Sequence, residues 1–168
     1  MIDEIETTVI QRYLKEEKPD AGELELDEAF EIERLGEMEY FGRLFNESNR
    51  IDPSAGETLQ PRFMTRDERL GSVTLKQGDK VFVHIWGLHH NPDEWQRPSE
   101  FLPERFDPAS PLYLTPKGTK RHPYSFMPFG GGDRVCFGKS FADYSIRTIS
   151  SILLYSLNFE FVDKKWMT

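Results

Sequence analysis

The chain has 168 residues, of which 38% are hydrophobic and 30% are charged, a balance typical of a folded globular protein. Its net charge of −8 argues against nucleic acid as a partner. No run approaches the roughly 20 apolar residues of a membrane helix, the acidic N-terminus has no signal-peptide pattern, and a single cysteine excludes an internal disulfide framework. These features leave the cellular compartment open.

The charge is distributed unevenly along the chain. Residues 1–50 carry fifteen acids and six bases, residues 51–116 carry ten acids and seven bases, and residues 117–168 carry four acids and eight bases. The last third is therefore basic, at +4, and it contains Cys136. Such a segment could attract an acidic partner, although an ordinary solvated surface accounts for the charge equally well.

The first third of the sequence has helical periodicity. Residues 2–16 are predicted to form a helix because Ile2, Ile5 and Val9 fall at helical spacing. A short helix is predicted from residue 26 to residue 35, with Asp27 as its candidate N-cap. A third helix is predicted over residues 38–50, before Pro53.

The rest of the chain predicts a small amount of β structure, a long loop and one more helix. Residues 72–75 and 80–86 are β-prone and flank the turn residues 77–79, which predicts a hairpin. Residues 91–128 contain eight prolines and are predicted to form an ordered loop. An amphipathic helix with an apolar face through Phe141, Ile146, Ile149, Ile152 and Leu153 is predicted over residues 139–156, and a terminal strand over 157–161. The predicted class is mainly α with minor β.

Cys136 stands in the segment Phe-Gly-Gly-Gly-Asp-Arg-Val-Cys-Phe-Gly, residues 129–138. A cysteine binds a metal as the thiolate, and the partial positive charge at the start of a predicted helix favours that form. The alternative is a buried, inert cysteine that follows a flexible glycine turn.

This segment, Phe-x-x-Gly-x-Arg-x-Cys-x-Gly, resembles the haem-binding loop of the cytochrome P450 family of haem-thiolate monooxygenases. The resemblance implies that Cys136 is the axial ligand of the iron in haem b, iron protoporphyrin IX. Gly132 and Gly138 would let the flat macrocycle approach the backbone, and Phe129 would help to keep water from the sulfur. Arg134 would reach a carboxylate at the edge of the macrocycle.

Two further motifs occur in the family's order. Glu47-Ser48-Asn49-Arg50 resembles the Glu-x-x-Arg element, and residues 98–106 resemble the family's Pro-x-x-Phe-x-Pro-x-Arg-Phe loop. The resemblance implies a structural triad of Glu47, Arg50 and Arg105 that serves folding and haem retention. A surface salt bridge between Arg43 and Glu47, four residues apart on a helix, is the simpler alternative for this carboxylate.

The family comparison also gives expectations for the segment between these motifs. Arg62 matches an arginine that binds a haem propionate, with Arg66 as a competitor and plain surface exposure as the alternative for both. His89 and His90 lie in a segment that resembles the family's His-Arg-Asp-Pro, with His90 where arginine is common. A zinc site at these two histidines is unfavourable, because adjacent residues of an extended strand point to opposite faces.

The resemblance covers roughly residues 36–162 and implies one fragment, residues 1–168, of the C-terminal part of the family's fold. Its predicted parts are a helical segment over 1–50, a β-hairpin region over 51–90, a Pro-rich meander with the haem-binding loop over 91–138, and the proximal helix with a terminal strand over 139–168. The family's central distal helix has no counterpart here. No catalytic residue beyond the haem ligand is therefore predicted.

The implied activity is the insertion of one atom of O2 into a small, apolar organic substrate by a chain that is itself incomplete. Electrons would come from a reductase or ferredoxin bound at a basic face, and a missing N-terminal polypeptide is a further candidate partner. The alternative is a non-catalytic or degenerate haem-binding fragment, or an assembly subunit that keeps the fold. A thiol hydrolase built on Cys136 and a histidine has no other supporting motif. The basic face would consist of Lys117, Lys120, Arg121, Arg134 and Lys139.

Overall fold

The computed structural model describes residues 1–16, 29–56 and 60–159. These residues are mainly helical, with two small antiparallel sheets of two strands each. The chain divides into two compact units. We call residues 1–42 with 137–168 the terminal unit, and residues 43–136 the central unit.

The terminal unit begins with helix α1, residues 2–16, as the sequence predicts. It consists of the segments Ile2–Glu4, Ile5–Ile10 and Gln11–Glu16, the middle one with π-helical hydrogen bonding. The Glu4 carboxylate accepts the backbone N–H groups of Tyr40 and Phe41 at 2.6 and 2.9 Å. Because the first N–H groups of a helix have no partner within it, Glu4 caps the helix that begins at Glu39.

Helix α2, Ile32–Gly36, is shorter than predicted. The backbone of Glu31 is extended, with φ −66° and ψ 153°, so no single helix runs through residues 26–35. The first part of the predicted helix, including the candidate cap Asp27, lies outside the described residues.

Helix α3, Glu39–Ile51, matches the prediction for residues 38–50 within one residue at each end. Its residues from Arg43 onward belong to the central unit. In the central unit, Glu47, Asn49 and Arg50 on this helix are buried. The buried face is therefore polar, and it forms one wall of the charged cluster described below.

The predicted hairpin is wrong in its pairing. Strand β3, Val73–Leu75, pairs with β2, Glu68–Leu70, while β4, Lys80–Val81, pairs with β1, Arg62–Phe63. Leu70 is opposite Val73, so the turn consists of two residues beginning with Gly71. Gly71 has φ +59°, which a two-residue hairpin turn requires at its first position. The second β-prone run also ends early, because residues 85–89 form a helix.

That helix, α4, is Ile85–His89, and the loop after it is held by an aromatic core. Trp95 is buried, donates its indole N–H to Leu88 O at 3.1 Å and packs against Phe106 and Phe126. The predicted ordered loop of residues 91–128 is therefore observed, with three short 3-10 turns. These turns are Pro103–Phe106, Pro111–Tyr113 and Pro123–Ser125.

Helix α5, Lys139–Ser156, has the predicted bounds, but its apolar side is not buried. Phe141 is 78% and Ile149 56% exposed, whereas Arg147 and Ser151 are buried. The Arg147 guanidinium donates to Leu35 O and Met38 O at 3.0 and 2.9 Å. The side of α5 that carries Arg147 is therefore buried, because the Leu35 and Met38 carbonyls accept hydrogen bonds from its guanidinium.

Residues 157–159 follow α5 without forming a strand, and the rest of the predicted terminal strand lies outside the described residues. No helix in the described parts of the chain is long and apolar enough to cross a membrane.

Candidate functional site

The structure brings together Glu47, Arg50 and Arg105 in the central unit, and all three side chains are fully buried. We call them the charged cluster. Glu47 and Arg50 lie one turn apart on α3, while Arg105 comes from the 3-10 turn Pro103–Phe106. The Glu47 carboxylate accepts Arg50 Nε and Nη2, both at 2.8 Å, and Arg105 Nε at 3.1 Å. The contact between Arg50 and Glu47 is bidentate, which is the strongest geometry for an arginine–carboxylate pair.

The Glu47 carboxylate has a fourth donor, the backbone N–H of Leu102 at 2.8 Å. Three of the four bonds fall on Oε1 and one on Oε2, so the carboxylate accepts about as many hydrogen bonds as an ionised carboxylate can. The simpler alternative, a surface salt bridge from Glu47 to Arg43, does not describe this carboxylate. Arg43 instead pairs with Asp107 at 2.7 Å.

Arg50 uses all five of its N–H donors. Beyond the two bonds to Glu47, Nη1 donates to His89 O at 3.0 Å and Pro98 O at 2.7 Å, and Nη2 donates to Glu100 O at 2.9 Å. Its guanidinium carbon also lies 5.3 Å from the centre of the Trp95 ring. One arginine on α3 therefore holds the last carbonyl of α4 and two carbonyls of the loop that follows.

Arg105 completes the same arrangement from the loop side. It donates to Gln96 O, Arg97 O and Glu100 O. Burial lowers the pKa of Arg105, the positive charge of Arg50 adds to this effect, and Glu47 opposes it. Two buried cations share one carboxylate, so the carbonyl dipoles supply the rest of the compensation.

Arg121 belongs to this interior and not to a free basic surface, which corrects one member of the predicted docking face. Its guanidinium donates to Arg105 O at 2.7 Å and Leu112 O at 3.0 Å and lies 4.3 Å from the Trp95 ring centre. Burial lowers the pKa of Arg121. Lys117, Lys120, Arg134 and Lys139 are exposed.

The Cys136 thiol is exposed at the end of the central unit. Its backbone N–H donates to Phe129 O at 2.8 Å, which closes residues 129–136 into a loop. Within this loop Gly130 and Gly132 have φ of +73° and +63°, a conformation that favours glycine over other residues. The positive φ angles explain why glycine occupies these two positions. The turn also fixes the direction of the chain at Cys136.

The residues around the thiol have the chemistry that a haem requires. A thiolate is a soft ligand suited to iron, and Cys136 is the residue of the central unit that can supply it. Arg134 is exposed and makes no hydrogen bond or ion pair with any described residue, so its guanidinium is available to a carboxylate of the macrocycle. A Cβ added at Gly132 would meet no atom of the described residues within 4 Å, so the space beside its backbone is open there.

The other predicted cofactor residues lie on a strand, in the loop itself and at the start of α5. Arg62 is exposed on β1, opposite Val81, and forms no ion pair with the described residues. Phe129 is half-buried and packs against Phe45, with ring centres 6.3 Å apart. Gly138 belongs to the terminal unit and is the N-cap residue of α5.

The two neighbouring histidines have different environments. His89 is fully buried, and its Nε2 lies 2.9 Å from the backbone N of Met127, while the His90 ring stacks on Trp86 at 4.1 Å. They lie at the end of a helix rather than on the extended strand that the sequence predicts. Among the described residues, no three His, Cys, Asp or Glu side chains come together as a metal site.

Sequence reasoning missed the structural roles of His89, Arg121 and Arg147. All three are buried or half-buried polar residues whose partners are backbone carbonyls or N–H groups distant in the chain. Residue type and spacing carry no signal for such partners. The clustering of Trp95, Phe106 and Phe126 with nearby arginines was the available hint, because aromatic faces attract guanidinium groups.

Comparisons with known proteins identify the family. A family model described as Cytochrome P450 matches residues 9–167. A probable cytochrome P450 4p3 of Drosophila melanogaster is 34% identical over 125 residues, which is 74% of this chain and 22% of that protein. The steroid 17-alpha-hydroxylase/17,20 lyase of Felis catus is 36% identical over 115 residues, 68% of this chain and 21% of that protein.

Cytochrome P450 3A41 of Mus musculus is 36% identical over 124 residues, 74% of this chain and 23% of that protein. The chain thus spans about a fifth of the length of these curated relatives. The family model matches nearly all of the chain, and the chain therefore belongs to the cytochrome P450 family, as a partial segment.

Proposed function

We propose that this chain is the haem-binding C-terminal segment of a cytochrome P450 monooxygenase and that the Cys136 thiolate would bind the haem iron. The observation that carries the proposal is an exposed thiol on a loop whose backbone is fixed by the bond from Cys136 N–H to Phe129 O. A mobile loop would lose conformational entropy when it binds a ligand. Because this loop is already closed, less entropy is lost and the sulfur is held in one position.

The residues proposed to hold the cofactor, haem b, have separate tasks. Cys136 binds the iron. Arg134 and Arg62, both exposed and without an ion-pair partner among the described residues, neutralise propionates. Gly132 leaves room for the macrocycle, and Phe129 fixes the root of the loop against Phe45.

The charged cluster has a supporting task in this proposal. Arg50 and Arg105 together hold carbonyls of residues 89–100, a stretch of turns between the end of α4 and the 3-10 turn Pro103–Phe106. The cluster keeps that stretch against α3 and thereby maintains the frame in which the haem loop forms. It makes no contact with the Cys136 thiol and is not assigned a chemical step.

When bound, a thiolate-ligated haem supplies the activation of O2 and the transfer of one oxygen atom to an organic substrate. This chain contributes the ligand and the fixed loop. A small apolar substrate and a reductase or ferredoxin are the proposed partners of the whole protein. The exposed cations Lys117, Lys120 and Arg134 of the central unit are the proposed contacts for an acidic electron donor.

A second function, a haem-binding segment that is not catalytic in isolation, is supported by the exposed apolar side of α5. Phe141, Ile149 and Leu153 are exposed on this helix, and the exposure of such an apolar stripe to water is unfavourable. We propose that further cytochrome P450 sequence covers this side in a complete protein, since the chain spans about a fifth of its relatives.

Haem titration of the 168-residue chain tests the proposal. The chain is expected to take up one haem, and Cys136→Ala is expected to bind it far more weakly because the sulfur ligand is lost. Val135→Ala is the matched control, since Val135 is an exposed neighbour without a ligand atom. Equal haem affinity of Cys136→Ala and Val135→Ala would overturn the assignment of Cys136.

A further inference from the structure

His89 connects the charged cluster to the loop that carries Cys136. The residue is the last of α4 and is fully buried. On its backbone side, the carbonyl accepts Arg50 Nη1 at 3.0 Å, so it belongs to the set of carbonyls that the cluster holds. Arg50 is in turn fixed by Glu47 through two bonds of 2.8 Å.

On its side-chain side, His89 acts as a hydrogen-bond acceptor. The backbone N–H of Met127 points to Nε2 at 2.9 Å, so Nε2 carries no proton and the neutral ring is protonated at Nδ1. Burial lowers the pKa of His89 to about 4, which keeps the ring neutral at pH 7. The ring also packs against Phe126, with centres 5.1 Å apart.

Met127 anchors the loop of residues 129–136, which carries Cys136. Its carbonyl accepts the N–H of Gly130 at 3.0 Å, and this turn places Phe129, whose carbonyl accepts the N–H of Cys136 at 2.8 Å. A continuous path of hydrogen bonds and short backbone segments therefore runs from Glu47 through Arg50, His89 and Met127 to Cys136. All of these residues lie in the central unit.

We infer that His89 is a positioning residue that fixes the Cys136 loop relative to the charged cluster, through acceptance of the Met127 N–H by its Nε2. Its effect on haem binding rests on the proposed function, whereas its effect on the loop itself does not. If His89 served only to fill the core, an apolar side chain of similar size would replace it without consequence for Met127 or Cys136.

Amide hydrogen exchange in the haem-free chain tests this inference. In His89→Leu the Met127 amide loses its acceptor, and both the Met127 and Cys136 amides are expected to exchange about three- to tenfold faster. In His89→Gln the side-chain oxygen can replace Nε2, and the two amides are expected to stay close to the unsubstituted rates. His90→Leu is the matched control, because His90 makes no bond to Met127.

Equal exchange in His89→Leu, His89→Gln and the unsubstituted chain would overturn the inference, as would a faster Met127 amide with an unchanged Cys136 amide. A second measurement needs no variant. Nitrogen NMR of the imidazole at pH 7 is expected to show the tautomer with the proton on Nδ1, and a proton on Nε2 would contradict the inference.

The haem-bound state separates this inference from the proposed function. If the unsubstituted chain binds haem, His89→Leu is expected to lose haem faster than His89→Gln. If the unsubstituted chain takes up no haem while the exchange rates follow the pattern above, the proposed function fails and the positioning role stands.

Discussion

Replacing Glu47 by glutamine exchanges one carboxylate oxygen for an NH2 group and removes one negative charge at the centre of the buried cluster. The carboxylate accepts four hydrogen bonds, three of them from Arg50 and Arg105. In Glu47→Gln one acceptor becomes an N–H2 donor that faces guanidinium donors, and two buried cations lose their only carboxylate partner within the cluster. Removal of one partner of a buried ion pair costs about 3–5 kcal/mol, so we expect the free energy of unfolding to fall by that amount.

Urea unfolding of the full chain, with Glu68→Gln as the control, measures this difference. Arg66 Nε and Glu68 Oε2 are 3.1 Å apart, the same distance and atom types as Arg105 Nε and Glu47 Oε1. The control pair is exposed, 80% and 50%, so its loss is expected to cost about 0–1 kcal/mol. Equal midpoints for Glu47→Gln and Glu68→Gln would refute the reasoning, because burial is what separates the two pairs.

Two further predictions concern pH and backbone conformation. Burial lowers the pKa of His89 from 6.5 in the unfolded chain to about 4 in the folded chain. Between pH 4 and pH 6.5, His89 is therefore protonated in the unfolded chain and neutral in the folded chain. The free energy of unfolding should therefore decrease by about 3 kcal/mol as pH falls from 6.5 to 4, and His89→Gln should remove that part of the dependence in urea titrations. A pH dependence of the same size in His89→Gln would refute the assignment. Gly71 and Gly36 both have open space for a Cβ, but only Gly71 has positive φ. Gly71→Ala should cost about 1 kcal/mol of unfolding free energy and Gly36→Ala should not, as thermal unfolding can test; equal effects would contradict a role for φ.

The charged cluster illustrates what motif spacing can predict. Three residues apart on a helix, Glu47 and Arg50 necessarily share a face, and the similarity of residues 98–106 to a family loop supplied Arg105 as the third member. The structure brings the three side chains together. Spacing could not predict the carbonyls that satisfy the remaining donors, since those depend on how residues 89–100 fold over α3.

The β structure and helix α5 show where local patterns are insufficient. The sequence predicted that the β-prone runs at 72–75 and 80–86 pair with each other. The first run instead pairs with β2, because the positive φ of Gly71 allows a two-residue turn between them. Along α5 the apolar residues suggested the buried side. Arg147 is buried instead because carbonyls of Leu35 and Met38 satisfy its donors, a long-range contact that hydrophobic periodicity does not contain.

The absorption spectrum of the reduced chain with haem and carbon monoxide tests most directly whether Cys136 binds iron as a thiolate. A strongly red-shifted main band is expected from the unsubstituted chain and from Val135→Ala, and its loss is expected in Cys136→Ala. A haem-loaded chain whose band lacks that shift, or a shifted band that persists in Cys136→Ala, would contradict the account.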